Sequence, residues 1–269
     1  GQNALGASNA NNNTAVGYTA LGANTDGHSN TALGSEALDA STTGDENVAV
    51  GHGALSAATT AHGNTAVGTD ALKVCTTQGQ NTAVGYNAML VAVSGFSGNT
   101  AIGNQALDAL TSGDNNTAVG SAAMGASTTG GNNTAVGWGA LDANTTGGSN
   151  TAVGLNALDA NTEGTANTAV GRDAGYNTTT GDYNISMGYQ SKPSAVDTDN
   201  EITIGKTLTG KGASTGFYGG NSAIYSETNG TAWNQVSDQR IKKNIEDNNT
   251  GLDVIKKVKI RNFEYRLPE

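Results

Sequence analysis

Apolar positions recur along this chain at one fixed distance. An aliphatic residue followed by glycine returns at Gly17, Gly34, Gly51, Gly68, Gly85, Gly103, Gly120, Gly137, Gly154, Gly171, Gly188 and Gly205. Ten of the eleven intervals have the length seen from Gly17 to Gly34, and the other, from Gly85 to Gly103, is one longer. Gly1, with Ala4 and Leu5 after it, reads as one further anchor. Relative to each anchor glycine, the preceding residue is Val, Leu, Ile or Met without exception. Ala stands two before it, until Ser186 and Thr203. Asn stands four before it in eleven of twelve coils, and Glu201 replaces it in the last. Ala stands three after the anchor from Ala4 to Ala174, and Leu or Met four after it from Leu5 to Leu158. A polar stretch ending in Gly, such as Ser41–Gly44 or Asn144–Gly147, closes the coil.

Such a period is sought before any other signal, because it decides the architecture. The Thr-Ala-Val segments are short, β-branched and bounded by Asn and Gly, which predicts strands. A second short Ala-Leu segment follows, and the Thr-Thr-Gly stretches predict turns, with glycine free to take φ > 0. A period of 3.6 fits neither segment length nor glycine placement, and one repeat is too short to hold two helices. The expected fold is all-β: a parallel β-solenoid, or β-roll, of 17-residue coils stacked at ~4.8 Å into a rod of roughly 55–60 Å. Stacking lays equivalent residues over one another. The Asn column is then expected to form an amide ladder, each side chain donating to the next, or to serve only as a turn former.

Each coil offers two large aliphatics. The residue before the anchor is expected to form a spine inside the narrow coil, which leaves the Leu column as an outward stripe. A lone soluble protein rarely exposes an apolar patch of that extent. Burial against identical neighbours about a long axis removes it, and closed cyclic symmetry is the common solution.

Composition agrees with a repeat whose core is built from small residues. Glycine (39 residues) is about twice its usual share, and charged residues (13%) about half. Residues 1–236 carry 5 Lys/Arg against 17 Asp/Glu, and residues 237–269 carry 8 against 6. The acidic body argues against nucleic acid and anionic membrane as partners. No stretch approaches the ~20 apolar residues of a membrane span, so no membrane insertion is expected. The chain starts at Gly1 rather than Met and reads as a piece of a longer protein.

Beyond Gly205 the regular repeat stops. Residues 206–236 are glycine-rich and carry Phe217, Tyr218, Tyr225 and Trp233, which predicts irregular strands forming a neck. From Ser237 the composition changes again. Thr250 and Asp253 are spaced like a capping box. Leu252, Ile255 and Val258 lie on one face of a short helix, and Ile260 to Arg266 alternates like a strand. The expected division is 1–205 solenoid shaft, 206–236 neck and 237–269 a small α+β segment.

The Asn-Thr-Ala-Val-Gly-x-x-Ala-Leu repeat resembles the β-roll heads of trimeric autotransporter adhesins, on a longer coil, and the repeats of phage tail fibres. The C-terminal residues Ser237, Asp238, Arg240, Ile241, Lys242, Asn244 and Ile245, then Leu252, Asp253 and Ile255, then Phe263 and Tyr265, resemble the start of the intramolecular chaperone domain of phage endosialidases and tail fibres. The resemblance implies a homotrimeric fibre of a virion that contacts a host-surface glycan or receptor and other virion proteins. It also implies self-cleavage between Val236 and Ser237, with Ser237 as nucleophile and Lys242 as its base. A serine hydroxyl needs a neighbouring base, and a lysine serves only if burial or nearby cations lower its pKa; Arg240 and Lys243 flank Lys242. Residues 237–269 are all that follow Val236, so the chain carries the first part of such a domain. The alternative is a bacterial cell-surface adhesin fibre.

Other constellations are weak. No Cys/His metal spacing, phosphate loop or hydrolase elbow is present, so neither cofactor, metal nor turnover enzyme is expected. Cys75 has no motif linking it to His28, His52 or His62 and reads as incidental. Asp39, Asp108, Asp142 and Asp159 recur in turns and could offer oxygen ligands to calcium, but the nonapeptide of calcium-binding rolls is absent, so no calcium site is expected. The residues just after the anchor vary, which marks outward positions. Tyr18, Tyr86, Trp138 and Tyr189 are therefore the candidate receptor contacts, although single exposed aromatics are also ordinary. The Thr column at Thr14, Thr31 and Thr65 suggests an ice- or surface-binding face as a further alternative.

Overall fold

The structure is a computed structural model that describes residues 1–6, 10–91 and 95–219, with the backbone of 224–226 and 234–235. Its described part is a parallel β-solenoid of about twelve coils, each spanning one sequence repeat, without a helix. Each regular coil contributes one three-residue strand, from Thr14–Val16 to Ile202–Ile204. These pair in parallel with like over like: Thr117 on Thr134, Ala118 on Ala135, Val119 on Val136. A further strand, Gly216–Tyr218, continues the parallel stack after a shorter step. Ile224–Ser226 and Asn234–Gln235 then pair antiparallel, so the fifteen strands among the described residues form one sheet in chain order. The helix and strand expected over 250–266 lie outside the described residues.

Only three residues per coil are strand, yet the turns stack as ladders too. Leu141 donates its N–H to the Ala157 carbonyl (2.9 Å), Thr145 to Thr162 (2.9 Å) and Asn156 to Trp138 (3.0 Å). Backbone groups that turns usually leave to water are thereby paired between coils. The Ala-Leu segment is one of these turns, not a second strand. Its Leu residues sit in the left-handed region, with φ 51–54° from Leu21 to Leu158. That conformation costs roughly 1–2 kcal/mol per residue. Here it turns each Leu into the coil, where burial and the inter-coil hydrogen bond offset the strain.

The orientation of the two aliphatic columns is the reverse of the sequence expectation. Leu21, Leu38, Leu55, Leu72, Leu107 and Leu141 are completely buried, as are Met89 and Met124. They fill the coil between the Ala columns typified by Ala118 and Ala123. The residue before the anchor points outward: Val16 is 54% exposed, Leu33 49% and Ile102 41%. The reason is the alternation of strand side chains. With the central Ala facing in, Thr and Val on either side must face out. Leu141→Ala should therefore cost about 3 kcal/mol, the usual loss for a buried Leu, while Leu155→Ala, at an exposed position, should cost under about 0.5 kcal/mol. Urea unfolding of the two variants measures the contrast.

From Asn30 to Asn184 the Asn column is buried, but it is mainly a side-chain-to-backbone ladder. Asn116 Oδ1 accepts the Asn133 N–H (2.9 Å), and Asn116 Nδ2 donates to the Gly130 carbonyl (2.9 Å). Direct amide-to-amide contacts of 3.2–3.3 Å occur from Asn30 to Asn99. Glu201 ends the column. Its buried carboxylate accepts from Ser194 N–H (2.8 Å), Ser194 Oγ (2.9 Å) and Gly212 N–H (2.8 Å). A threonine column adds a third ladder: the hydroxyls of Thr111, Thr128 and Thr145 each donate to the threonine carbonyl one coil on, at 2.8–3.0 Å.

Candidate receptor-contact surface

The coil turns sharply at the anchor glycine, and the next residue stands at the corner beside the outward aliphatic column. The anchors from Gly103 to Gly154 take φ of 137–144°. A Cβ there would collide with the carbonyl oxygen of the next anchor, for example Gly120 with Gly137. Glycine is thus required by the close stacking of corners, and every corner side chain is left projecting. Tyr18, Tyr86 and Trp138 are more than half exposed and Tyr189 is 38% exposed. The structure places all four in one column, three or four coils apart, so about 14–19 Å separates neighbours. They do not converge on one pocket. The signal for this column was present in the sequence as a fixed offset from the anchor.

The same register brings non-aromatic residues to this surface. Leu155 and Arg172 lie in the corner column between Trp138 and Tyr189. Asn156, Asp173 and Gln190 occupy the next position along, each in the left-handed region with φ of 52–53°. Arg172 Nε reaches Asp173 Oδ2 at 3.2 Å, and Asn156 Nδ2 donates to Asp173 Oδ1 at 3.3 Å. The Arg172 guanidinium carbon lies 5.5 Å from the Tyr189 ring centroid. Nearby, Lys192 Nζ donates to the Tyr176 hydroxyl at 2.7 Å.

The recurring aspartates do not assemble a metal centre. Among the described residues, no three His, Cys, Asp or Glu side chains converge to hold a metal ion. Burial pushes the carboxyls of Asp39, Asp108, Asp142 and Asp159 above the ordinary carboxylate range. At Asp159, repulsion from Asp173 and Asp142 adds to burial, while the Ala160 backbone opposes it. A raised folded-state pKa means stability that is present at low pH and lost as pH rises through that pKa. Asp159→Asn should therefore raise the melting temperature at pH 7, and the gain should vanish as pH falls into the carboxylate range. Melting curves at pH 7 and pH 4 check this.

Cys75 takes an inward column position, with Ser41 and Ala58 at the equivalent places in the two preceding coils; all three are buried. Burial pushes its thiol up to about 12. It stays a neutral thiol at physiological pH and is unsuited to nucleophilic work. The inferred scissile bond Val236–Ser237 and its base Lys242 lie outside the described residues. No helix among the described residues is long and apolar enough to cross a membrane. Compared with known protein families, characterised proteins and solved structures, the chain shows no match.

Proposed function

We propose that this chain is shaft from a homotrimeric fibre of a phage virion, a structural protein that contacts the host. The observation that carries the reading is the outward aliphatic column. It runs through all twelve regular coils, with one side chain per coil, each exposed or half-buried and none of them buried. An apolar stripe of that length is stabilised by a partner presenting the same repeat, and a second and third copy do so in register. The resemblance of residues 237–265 to the intramolecular chaperone of tail fibres supplies the choice of three copies and of a virion. It also supplies the maturation step: the Ser237 hydroxyl, deprotonated by Lys242, attacks the Val236 carbonyl, the Val236–Ser237 C–N bond breaks as Lys242 returns the proton to the Ser237 amine, and water then hydrolyses the ester to free the Ser237 hydroxyl and a Val236 carboxylate.

Expression of the gene with its complete C-terminus tests maturation. Mass spectrometry should find a new N-terminus at Ser237, lost in Ser237→Ala; an intact wild-type chain in assembled trimers would refute the cleavage. A bacterial adhesin fibre would share the trimer but not this processing. The outward face also supports an ice-binding reading, because Thr and Val stand side by side on successive strands, as at Thr134 and Val136. Thermal hysteresis in a monomeric sample would favour that reading over the fibre.

A further inference from the structure

The corner column is not uniform along the rod. In most of it, large residues alternate with small ones: Tyr18 is followed by Ser35, His52 by Thr69, and Tyr86 by Asn104 and Ser121. In five consecutive coils it is continuous, as Trp138, Leu155, Arg172, Tyr189 and Lys206. Trp138 is 57% exposed and Leu155 41%. Beside this apolar row runs a planar polar row of Asn156, Asp173 and Gln190. The two rows are tied by backbone hydrogen bonds from Asn156 to Trp138 (3.0 Å), Asp173 to Leu155 (2.8 Å) and Gln190 to Arg172 (3.0 Å). The patch is a ridge with two chemistries, repeating at the coil spacing of ~4.8 Å.

We infer that this ridge, from Trp138 to Tyr189, binds a neutral oligosaccharide lying lengthwise along the coils. Sugar rings present an apolar C–H face and an edge of hydroxyls. Exposed indole and phenol rings match the first, and amide, carboxylate and guanidinium groups match the second. The ridge runs along successive coils with its corner side chains exposed, which suits a polymer lying on it rather than an enclosed small molecule. Its charge selects against sugar acids. Asp173 already holds Arg172, and the next cation of the column, Lys206, stands one coil beyond Tyr189. Asp173 also repels the neighbouring Asp159 carboxylate, so an anion placed at Asn156 and Asp173 would meet negative charge. The inference rests on the fibre reading for its setting, since it names the host-surface group that a fibre would touch.

The test uses the full chain with Trp233→Phe, which leaves Trp138 as the one indole. Maltoheptaose, cellohexaose, chitohexaose and mannohexaose serve as neutral probes and heparin as the anionic one. At least one neutral probe should shift Trp138 emission saturably. In calorimetry, Trp138→Ala and Asp173→Ala should each weaken that binding about tenfold, the scale of one aromatic contact, while Tyr18→Ala should leave it unchanged. Binding of none of the neutral probes, binding of heparin alone, or binding indifferent to Trp138→Ala overturns the inference. Light scattering on the same samples separates the two ideas. A trimer that ignores sugars defeats this inference alone, and a sugar-binding monomer defeats the fibre alone.

Discussion

Gly120→Ala is expected to destabilise the solenoid by about 4 kcal/mol, one of the two largest effects of any single substitution in it. Gly120 sits mid-stack with φ 141°, a value that residues with a side chain essentially never adopt. The new methyl would strike the Gly137 carbonyl oxygen and lie 2.6 Å from its carbonyl carbon. The colliding atoms are backbone, held by the Gly120 to Ile102 hydrogen bond (2.8 Å) and by the coil above, so neither side can yield without parting the stack. Gly95→Ala is the comparison. Its φ of 62° also disfavours a side chain, but a Cβ there meets nothing within 4 Å, so the cost should be about 1 kcal/mol. Urea midpoints of the two variants read the difference. Equal losses would show that backbone preference, not coil contact, sets the requirement for glycine.

Asn116→Leu should cost a similar amount for a different reason. Leu has comparable volume, so packing changes little. The loss is two partners: the Asn133 N–H, which now donates to Asn116 Oδ1, and the Gly130 carbonyl, which now accepts from Asn116 Nδ2. Asn116 is completely buried. Each orphaned buried group costs about 1–3 kcal/mol, so the pair sums to about 4. Amide hydrogen exchange adds a local readout, with protection at Asn133 falling by more than the global loss of stability explains. A loss under about 1 kcal/mol would mean that water replaces the amide and that the column is only a turn former.

These two positions show what the sequence made legible. Strict recurrence of glycine and asparagine at fixed offsets was enough to read parallel coils of one constant length, because only like-on-like stacking demands the same residue at every rung. The direction of the aliphatic columns was not read correctly, although a clue existed. In Thr-Ala-Val the central Ala and the flanking residues must face opposite ways, so an inward Ala sends Val16 and Leu33 outward. The left-handed Leu positions hid the rest, since a leucine such as Leu38 at φ 51° enters the core from a conformation that its type rarely takes. The Asn partners were also hidden: spacing fixes which residue lies above, not whether its side chain or its backbone is met. At the candidate site the aromatics were legible as outward corners. The polar row of Asn156, Asp173 and Gln190 was not, because nothing in residue type alone separates a contact surface from ordinary solvated turns.

The swap leaves the case for assembly standing on a different column. The greasy edge that a single chain cannot hide is made of the residues before the anchor glycines, mostly valines, not of the buried Leu column, and it lies beside the corners that carry Trp138 and Tyr189. Sedimentation equilibrium of the purified chain puts this to the most direct test. The predicted particle has three times the 26.8 kDa of one chain and keeps that mass on dilution. A well-folded particle with the mass of a single chain would contradict the account, because its valine edge would then face water without a partner.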